Sequence, residues 1–309
     1  MKGLRNAGNT CWFNAALQCL LYAPNLANYF IDGLESAHAV PRRKLAASFA
    51  ARFGELVREY WTTGQVGDVM DAQPVLDAFR KACRGFAPNA PHDAHEAVVF
   101  LLDKLHSALA RLPADECAVA RQPGVSGSAW AKSLKGESSV VSELFRGQLE
   151  LRITPAQGDA QVTHDHFTVL SVSLSECGAL TTALQRHMAP ETVPDYAPSG
   201  ASLSKRFTYL PSVLVLHFKR FDGASGKVDR FIDYPSDLDM SPYAASGEWH
   251  YQLFAAVLHR GAADDGHYTA CAEVHGRWFA MDDAHASPMT NVNDVVQRDA
   301  YVLLYRRLE

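Results

Sequence analysis

The sequence predicts an α+β fold, with helices gathered in the first part of the chain and a sheet in the rest. Two observations carry this expectation. Up to about residue 142, apolar residues recur at helical spacing, as in Leu45, Phe49, Phe53, Leu56 and Tyr60. From about residue 143 the period shortens to two, as in Leu149, Leu151 and Ile153. Helices first and strands afterwards argue for segregated layers rather than an alternating α/β sheet. With 309 residues, 48% of them hydrophobic and 20% charged, the chain can bury a large core in one domain or two coupled ones.

The first helix opens at Cys11. Phe13, Ala16, Leu17, Leu20 and Leu21 give it an amphipathic stripe, and Asn9 or Thr10 is its expected N-cap. Leu45 to Tyr60 form a second stripe, and Val75, Leu76, Phe79 and Cys83 a shorter one. Ala94, Val98, Leu101, Leu105, Leu109 and Leu112 predict a longer helix, with Asp93 and Glu96 in its first turn. Residues 121–128 and 194–204 read as loops, rich in Pro, Gly, Ser and Ala. Val169 to Leu174 alternate, 179–188 reads as a short helix, and strands are expected near 211–220, 250–260, 267–275, 277–281 and 300–306.

Several functions are disfavoured by composition. The net charge is -5, and Lys and Arg form no long basic run, so nucleic acid is not an expected partner. No apolar run reaches membrane-span length. The chain opens directly on the Cys11 segment, which leaves no room for a signal peptide. The six cysteines, at 11, 19, 83, 117, 177 and 271, lack framework spacing and read as reduced, in a cytoplasmic or nuclear setting.

Two segments carry chemistry. In Gly3-Leu4-Arg5-Asn6-Ala7-Gly8-Asn9-Thr10-Cys11, a glycine-punctuated loop delivers a thiol to a helix start, where the dipole favours thiolate, the nucleophilic form. Far along the chain, Gly266-His267-Tyr268 and Trp278 to Asp283 flank a His275-Gly276 turn and read as a hairpin. That hairpin brings an imidazole and a carboxylate to one end of a sheet. A cysteine nucleophile needs a base, and the base an orienting partner. Either Asp282 or Asp283 can supply that partner, and a solvated turn is the structural alternative for one of them. Asn6 is readable from the residues as an Asx-turn residue supporting the loop.

Both segments resemble the Cys and His boxes of the ubiquitin-specific protease (USP) family of deubiquitinases. The first box matches from Gly3 to Leu20, and the second from Tyr251 to Asp283, including His259 and Gly261. Leu210 to Phe221 resembles the family's central palm strand, Tyr234-Pro235 and Leu238 to Tyr243 the segment after it, and Tyr301 to Tyr305 its closing strand. The resemblance implies a papain-like cysteine protease core with a mainly helical thumb (1–142), short β fingers (143–210) and a β palm (211–309). It implies Cys11 as nucleophile, His267 as base, Asp282 orienting the imidazole with Asp283 acting alongside, and the Cys11 N–H and Asn6 as oxyanion donors. The Pro91 to Glu96 box implies that Asp93 and Glu96 contact the arginine-containing tail of ubiquitin, where carboxylate–guanidinium pairing is the right chemistry. Gly266, Tyr268 and His259 are candidate walls of a narrow channel for its terminal Gly-Gly, with a buried, non-functional role the alternative for His259.

The chain departs from the family pattern in two ways. Pro91, His92, His95 and Ala97 replace the usual glutamines and Phe of the tail box, which opens the choice between ubiquitin and a SUMO-type or other ubiquitin-like modifier. No cysteine stands at Pro155 to Gly158 or Tyr196 to Ser199, where many members bind zinc, so neither a metal nor any cofactor is expected. His164, His166, Cys177 and His187 read as scattered surface or core residues. The expected partners are ubiquitin and ubiquitinated proteins, and the chain is expected to act as a monomer. The readings weighed against a thiol isopeptidase are a non-catalytic ubiquitin-binding module and a papain-like protease for ordinary peptides.

Overall fold

The computed structural model describes residues 1–33, 49–65, 67–110, 112–113, 117–194, 200–222, 226–262 and 265–308. The helices are α1 (Cys11–Leu21), α2 (Leu26–Asn28), α3 (Phe49–Thr62), α4 (Gln73–Ala82), α5 (Ala94–Leu109), α6 (Gly127–Ser133), α7 (Val140–Phe145) and α8 (Leu180–Met188). Leu45 lies outside the described residues, and the Leu112 side chain is not described. The α5 stripe ends at Leu109, where Ala110 turns extended. Helix α1 differs from expectation in one respect: all its residues are buried. Its polar positions face partners instead of water. Gln18 donates to the Lys2 carbonyl at 3.1 Å, and Asn14 reaches Leu4 and Arg5.

The strands are β1 (Gly3–Leu4), β2 (Val69–Met70), β3 (Leu112–Pro113), β4 (Glu137–Ser138), β5 (Gly147–Pro155), β6 (Gln161–Phe167), β7 (Leu170–Ser173), β8 (Glu191–Val193), β9 (Ala201–Tyr209), β10 (Val213–Lys219), β11 (Phe221–Asp222), β12 (Gly226–Lys227), β13 (Asp237–Asp239), β14 (His250–Gly261), β15 (Gly266–Val274), β16 (Arg277–Asp282), β17 (His285–Pro288) and β18 (Ala300–Arg307). The large sheet runs β17-β16-β15-β14-β18-β10-β7, with β13 paired to β14. A second sheet runs β6-β5-β9-β8. Strand β7 falls inside the stretch assigned to the fingers, yet it pairs with β10 in the palm, Leu216 opposite Leu170. The expected loop at 194–204 is strand from Ala201 onward, and the one at 121–128 gives way to α6 at Gly127.

The large sheet has two apolar faces. Tyr268, Ala270, Ala272 and Val257 pack with α1, α3 and α5 on one side. Leu258, Cys271, Leu303 and Tyr305 pack on the other, over α8 and the strand ends. The β15 alternation dictates this split, since neighbouring residues point to opposite faces. Among the described residues no helix is long and apolar enough to cross a membrane.

Candidate active site

The Cys11 loop is built by Asn6. Its side-chain oxygen accepts from the Gly8 N–H at 3.0 Å, the Thr10 N–H at 3.2 Å and the Thr10 hydroxyl at 3.2 Å. The Asx-turn reading of Asn6 thus holds for its carbonyl end. Its amide end points elsewhere, donating to Asp283 Oδ2 at 2.7 Å and leaving a second N–H. Thr10 occupies the N-cap position of α1 but makes no capping bond, because its hydroxyl is engaged by Asn6 and by the Ala7 N–H. The helix-start N–H groups therefore stay available near the Cys11 sulfur.

Cys11 is 9% exposed. Burial pushes its thiol up, and nearby Asp283 adds to this, while backbone hydrogen bonding at Tyr268, Trp12 and Cys11 itself pulls down by less. The helix dipole favours thiolate as the sequence suggests, but desolvation of the charged form outweighs the favourable N–H groups. The sulfur rests as a thiol and needs a base.

His267 opens β15 and Asp282 closes β16, as the hairpin reading places them. His267 Nε2 lies 2.7 Å from Asp282 Oδ1. A carboxylate only accepts, so Nε2 carries the proton and Nδ1 is left as the basic nitrogen. Among the described residues no hydrogen bond joins His267 to Cys11 Sγ, an open arrangement common before substrate closes a site. Asp283 is separate from this pair. It receives Asn6 on Oδ2 and Asn14 on Oδ1 at 2.8 Å, and its backbone carbonyl accepts from Leu4 N at 2.7 Å. Two adjacent carboxylates thus face different partners, Asp282 the palm imidazole and Asp283 the thumb amides. Gly3 permits the close approach, since a Cβ there would lie 2.0 Å from the Ala284 carbonyl oxygen. Among the described residues only His267, Asp282 and Asp283 bring three potential metal-ligand atoms together, within 4.8 Å, and their bonds already have organic partners.

The tail-channel residues divide. Asp93 caps α5, its Oδ1 accepting from His95 N at 2.6 Å and Glu96 N at 3.2 Å. Its Oδ2 accepts from the Tyr301 hydroxyl at 2.5 Å. Glu96 is exposed, with no ion-pair partner among the described residues. Of the two readings of His259, the buried one holds. It is 1% exposed, ringed by Tyr268, Phe221 and Tyr301, with both ring nitrogens unpartnered. Burial pushes it down to about 4, so it sits neutral. It underlies Gly266 instead: a Cβ at 266 would come within 2.1 Å of His259 Nε2. Tyr268 is itself mostly buried, its ring 4.5 Å from that of His259. The departure at His95 has a visible counterpart. Its ring stacks on His217 at 3.7 Å, and the His217 ring meets Tyr301 edge-on.

Sequence reasoning assigned no role to Asn14, His217 or Tyr301, although all three fall in matched segments. Their partners lie far along the chain, 269 residues away for Asn14–Asp283 and 208 for Tyr301–Asp93. No local pattern announces such pairs.

Known proteins resemble this chain in sequence and in fold. The sequence model of the family described as ubiquitin carboxyl-terminal hydrolase matches residues 2–305. Ubiquitin carboxyl-terminal hydrolase 17-like protein B of Mus musculus is 30% identical over 98% of this chain and 63% of its own length. Ubiquitin carboxyl-terminal hydrolase 2 of Bos taurus is 30% identical over 99% of this chain and 55% of its own length. The chain thus spans a little over half of these relatives. Among solved structures, a chain of the SAGA Ubp8/Sgf11/Sus1/Sgf73 DUB module bound to ubiquitin aldehyde superposes with a TM-score of 0.82 at 24% identity, covering 100% of this chain and 70% of that one. A further structure of the Ubp8-Sgf11-Sgf73-Sus1 SAGA DUB module gives 0.79 at 26% identity, over 100% and 68%. With a family match running almost end to end over a thumb, fingers and palm, the chain belongs to the ubiquitin carboxyl-terminal hydrolase family.

Proposed function

We propose that this protein is a cysteine-type deubiquitinase that hydrolyses the isopeptide or peptide bond after the C-terminal Gly-Gly of ubiquitin. The observation that carries this reading is the His267–Asp282 pair, 2.7 Å apart, at the sheet end where α1 presents Cys11 against the Tyr268 backbone. Closure brings His267 Nδ1 to the thiol and takes its proton. The thiolate attacks the glycine carbonyl carbon, forming an S–C bond and an oxyanion. The Cys11 N–H and the spare N–H of Asn6 are the donors for that oxygen, with Asp283 holding the Asn6 amide in place. Collapse breaks the C–N bond, and the imidazolium returns its proton to the leaving amine. Water, deprotonated by His267, then cleaves the thioester. On the acyl side Glu96 is the carboxylate free to pair with an arginine of the tail, and Asp93 acts by fixing the α5 start. Ubiquitin in the related solved complex supports this partner.

The test is capture by ubiquitin carrying a thiol-reactive C-terminus. One ubiquitin mass should be added per chain, and peptide mapping should place it on Cys11. Folded protein that stays unlabelled, or that is labelled at one of the other cysteines, refutes the proposal. Labelling by a SUMO-type probe with ubiquitin ignored moves the modifier assignment and keeps the chemistry.

The buried His259 gives a second expectation. Gly266→Ala forces its Cβ against His259 Nε2 and the Ala262 carbonyl oxygen, at 2.1 and 2.6 Å. The strand start must shift, and His267 with it. Misplacement on that scale costs about 100-fold in turnover. A fluorogenic ubiquitin amide measures this, and a variant within threefold of wild type would show that Gly266 is dispensable.

A further inference from the structure

His267 borders two spaces. The thumb side of β15, where Tyr268 and Ala270 point, packs against α1 and the start of α5, and in the hydrolase reading above the acyl half of the substrate enters from that side, past Glu96. His267 and Thr269 are one residue out of phase and line a cavity of about 310 Å³ away from the thumb, together with Arg260, Asp265, Asp282 and Asp299. Arg260, Gln297 and Asp299 also line a neighbouring trough of about 760 Å³ that reaches Asp229 and Asp294. The trough thus adjoins the cavity that the catalytic pair lines. The ionisable border of the two cavities comprises five aspartates (229, 265, 282, 294 and 299), two arginines (260 and 298) and His267 itself. Both arginines are already engaged, Arg260 by Asp299 at 2.9 Å and Arg298 by Asp229 at 3.0 Å. Asp265 and Asp294 have no cationic partner among the described residues.

We infer that this trough docks the leaving-group side of the substrate: an extended, basic segment that carries the conjugated lysine. The inference rests on the hydrolase reading above. When the C–N bond breaks, the ε-amine must lie within hydrogen-bond reach of the imidazolium that gives it a proton. In that reading the acyl chain enters from the thumb side, so the amine leaves toward the other side of His267, where the cavity lies. Cations flanking the lysine meet Asp265 near the imidazole and Asp294 farther along. Such exposed charge pairs select among partners more than they add raw affinity.

The experiment uses three substrates of the whole chain. Ubiquitin is joined at its C-terminal glycine to aminocoumarin, to the lysine of a peptide with Arg and Lys flanks, and to the lysine of one with Glu flanks. Each peptide rate is divided by the coumarin rate. The basic peptide should be cleaved about tenfold faster than the acidic one at low salt, and the ratio should shrink as ionic strength rises. Both aspartates are exposed, and Asp265→Lys with Asp294→Lys should bring the ratio to one or below, with Asp265→Asn intermediate. Equal cleavage of the two peptides by wild type, or a ratio that the double variant leaves intact, overturns the inference alone. Failure to cleave the coumarin amide as well overturns the hydrolase reading and this one with it.

Discussion

Cys11→Ala and His267→Ala should each reduce turnover of a ubiquitin amide to background, a loss on the order of 10⁵-fold or more, because a nucleophile and its base act as one unit. The two aspartates should then separate. Asp282→Ala removes the only acceptor bonded to His267 Nε2 among the described residues and frees the ring to turn, for a loss of about 10³–10⁴-fold in kcat. Asp282→Asn keeps an oxygen that can accept the same N–H, so it should retain activity within about tenfold. Asp283→Ala leaves the imidazole bonded but releases the Asn6 and Asn14 amides. Loss or misplacement of one oxyanion donor costs about 10²–10³-fold. The series is read by steady-state kinetics on variants whose melting curves show them folded. An Asp283→Ala loss exceeding that of Asp282→Ala would exchange the two roles.

The separation of these carboxylates also shows where sequence reading stops. Asp282 and Asp283 are identical in type and adjacent, so only the fold could say which meets the imidazole. The hairpin itself was legible. Its apolar and aromatic runs flank the His275-Gly276 turn because one face packs against α1 and the other on the second core, and the observed bounds fall within about a residue of those expected. The fingers were less legible for the same reason in reverse. Strand β6 is largely solvent-exposed, and β9 is mostly polar from Ser202 to Arg206, so little apolar alternation marks them. Helix α7 was missed because it is short and starts from a Ser139–Ser142 capping box without a long apolar stripe. In the site, Cys11, His267 and the acids carry chemistry in their residue types. Burial is what the sequence could not supply. It outweighs the helix dipole at Cys11, and it decides between the channel-wall and buried readings of His259 in favour of the buried one, beneath Gly266.

Burial of neutral imidazoles predicts a pH dependence of stability with a definite sign. His217 is pushed down to about 3, first by burial and then by the neighbouring His95 and Lys219 charges, and His259 to about 4, first by burial and then by Lys227. Unfolded, both titrate near 6.5. Above that value neither state binds a proton, and their full contribution to stability is present. As pH falls below 6.5, the unfolded chain takes up protons that the folded protein refuses, and stability is lost down to the folded values. Each group loses about 1.4 kcal/mol per pH unit across that window, or about 2 kcal/mol between pH 7.5 and 5. The two together remove about 4 kcal/mol, a large share of a typical folding free energy. For a chain of this length that corresponds to a fall in Tm of roughly 5–8 °C. Carboxylates do not confuse the reading. Asp239, held below its ordinary value first by the Ser241 hydroxyl, contributes above pH 3.8 and fades only as the solution becomes more acidic than that. Melting at pH 7.5, 6 and 5 measures the slope. His217→Gln, which can still bond Ser171 but cannot take a charge, should reduce that slope by its own share of about 1.4 kcal/mol per pH unit, the rest coming from His259 and the other buried histidines, among them His166, which burial first holds down to about 4. A wild-type Tm unchanged at pH 5, or a variant with the full wild-type slope, would mean that these rings protonate within the folded protein at no cost in stability.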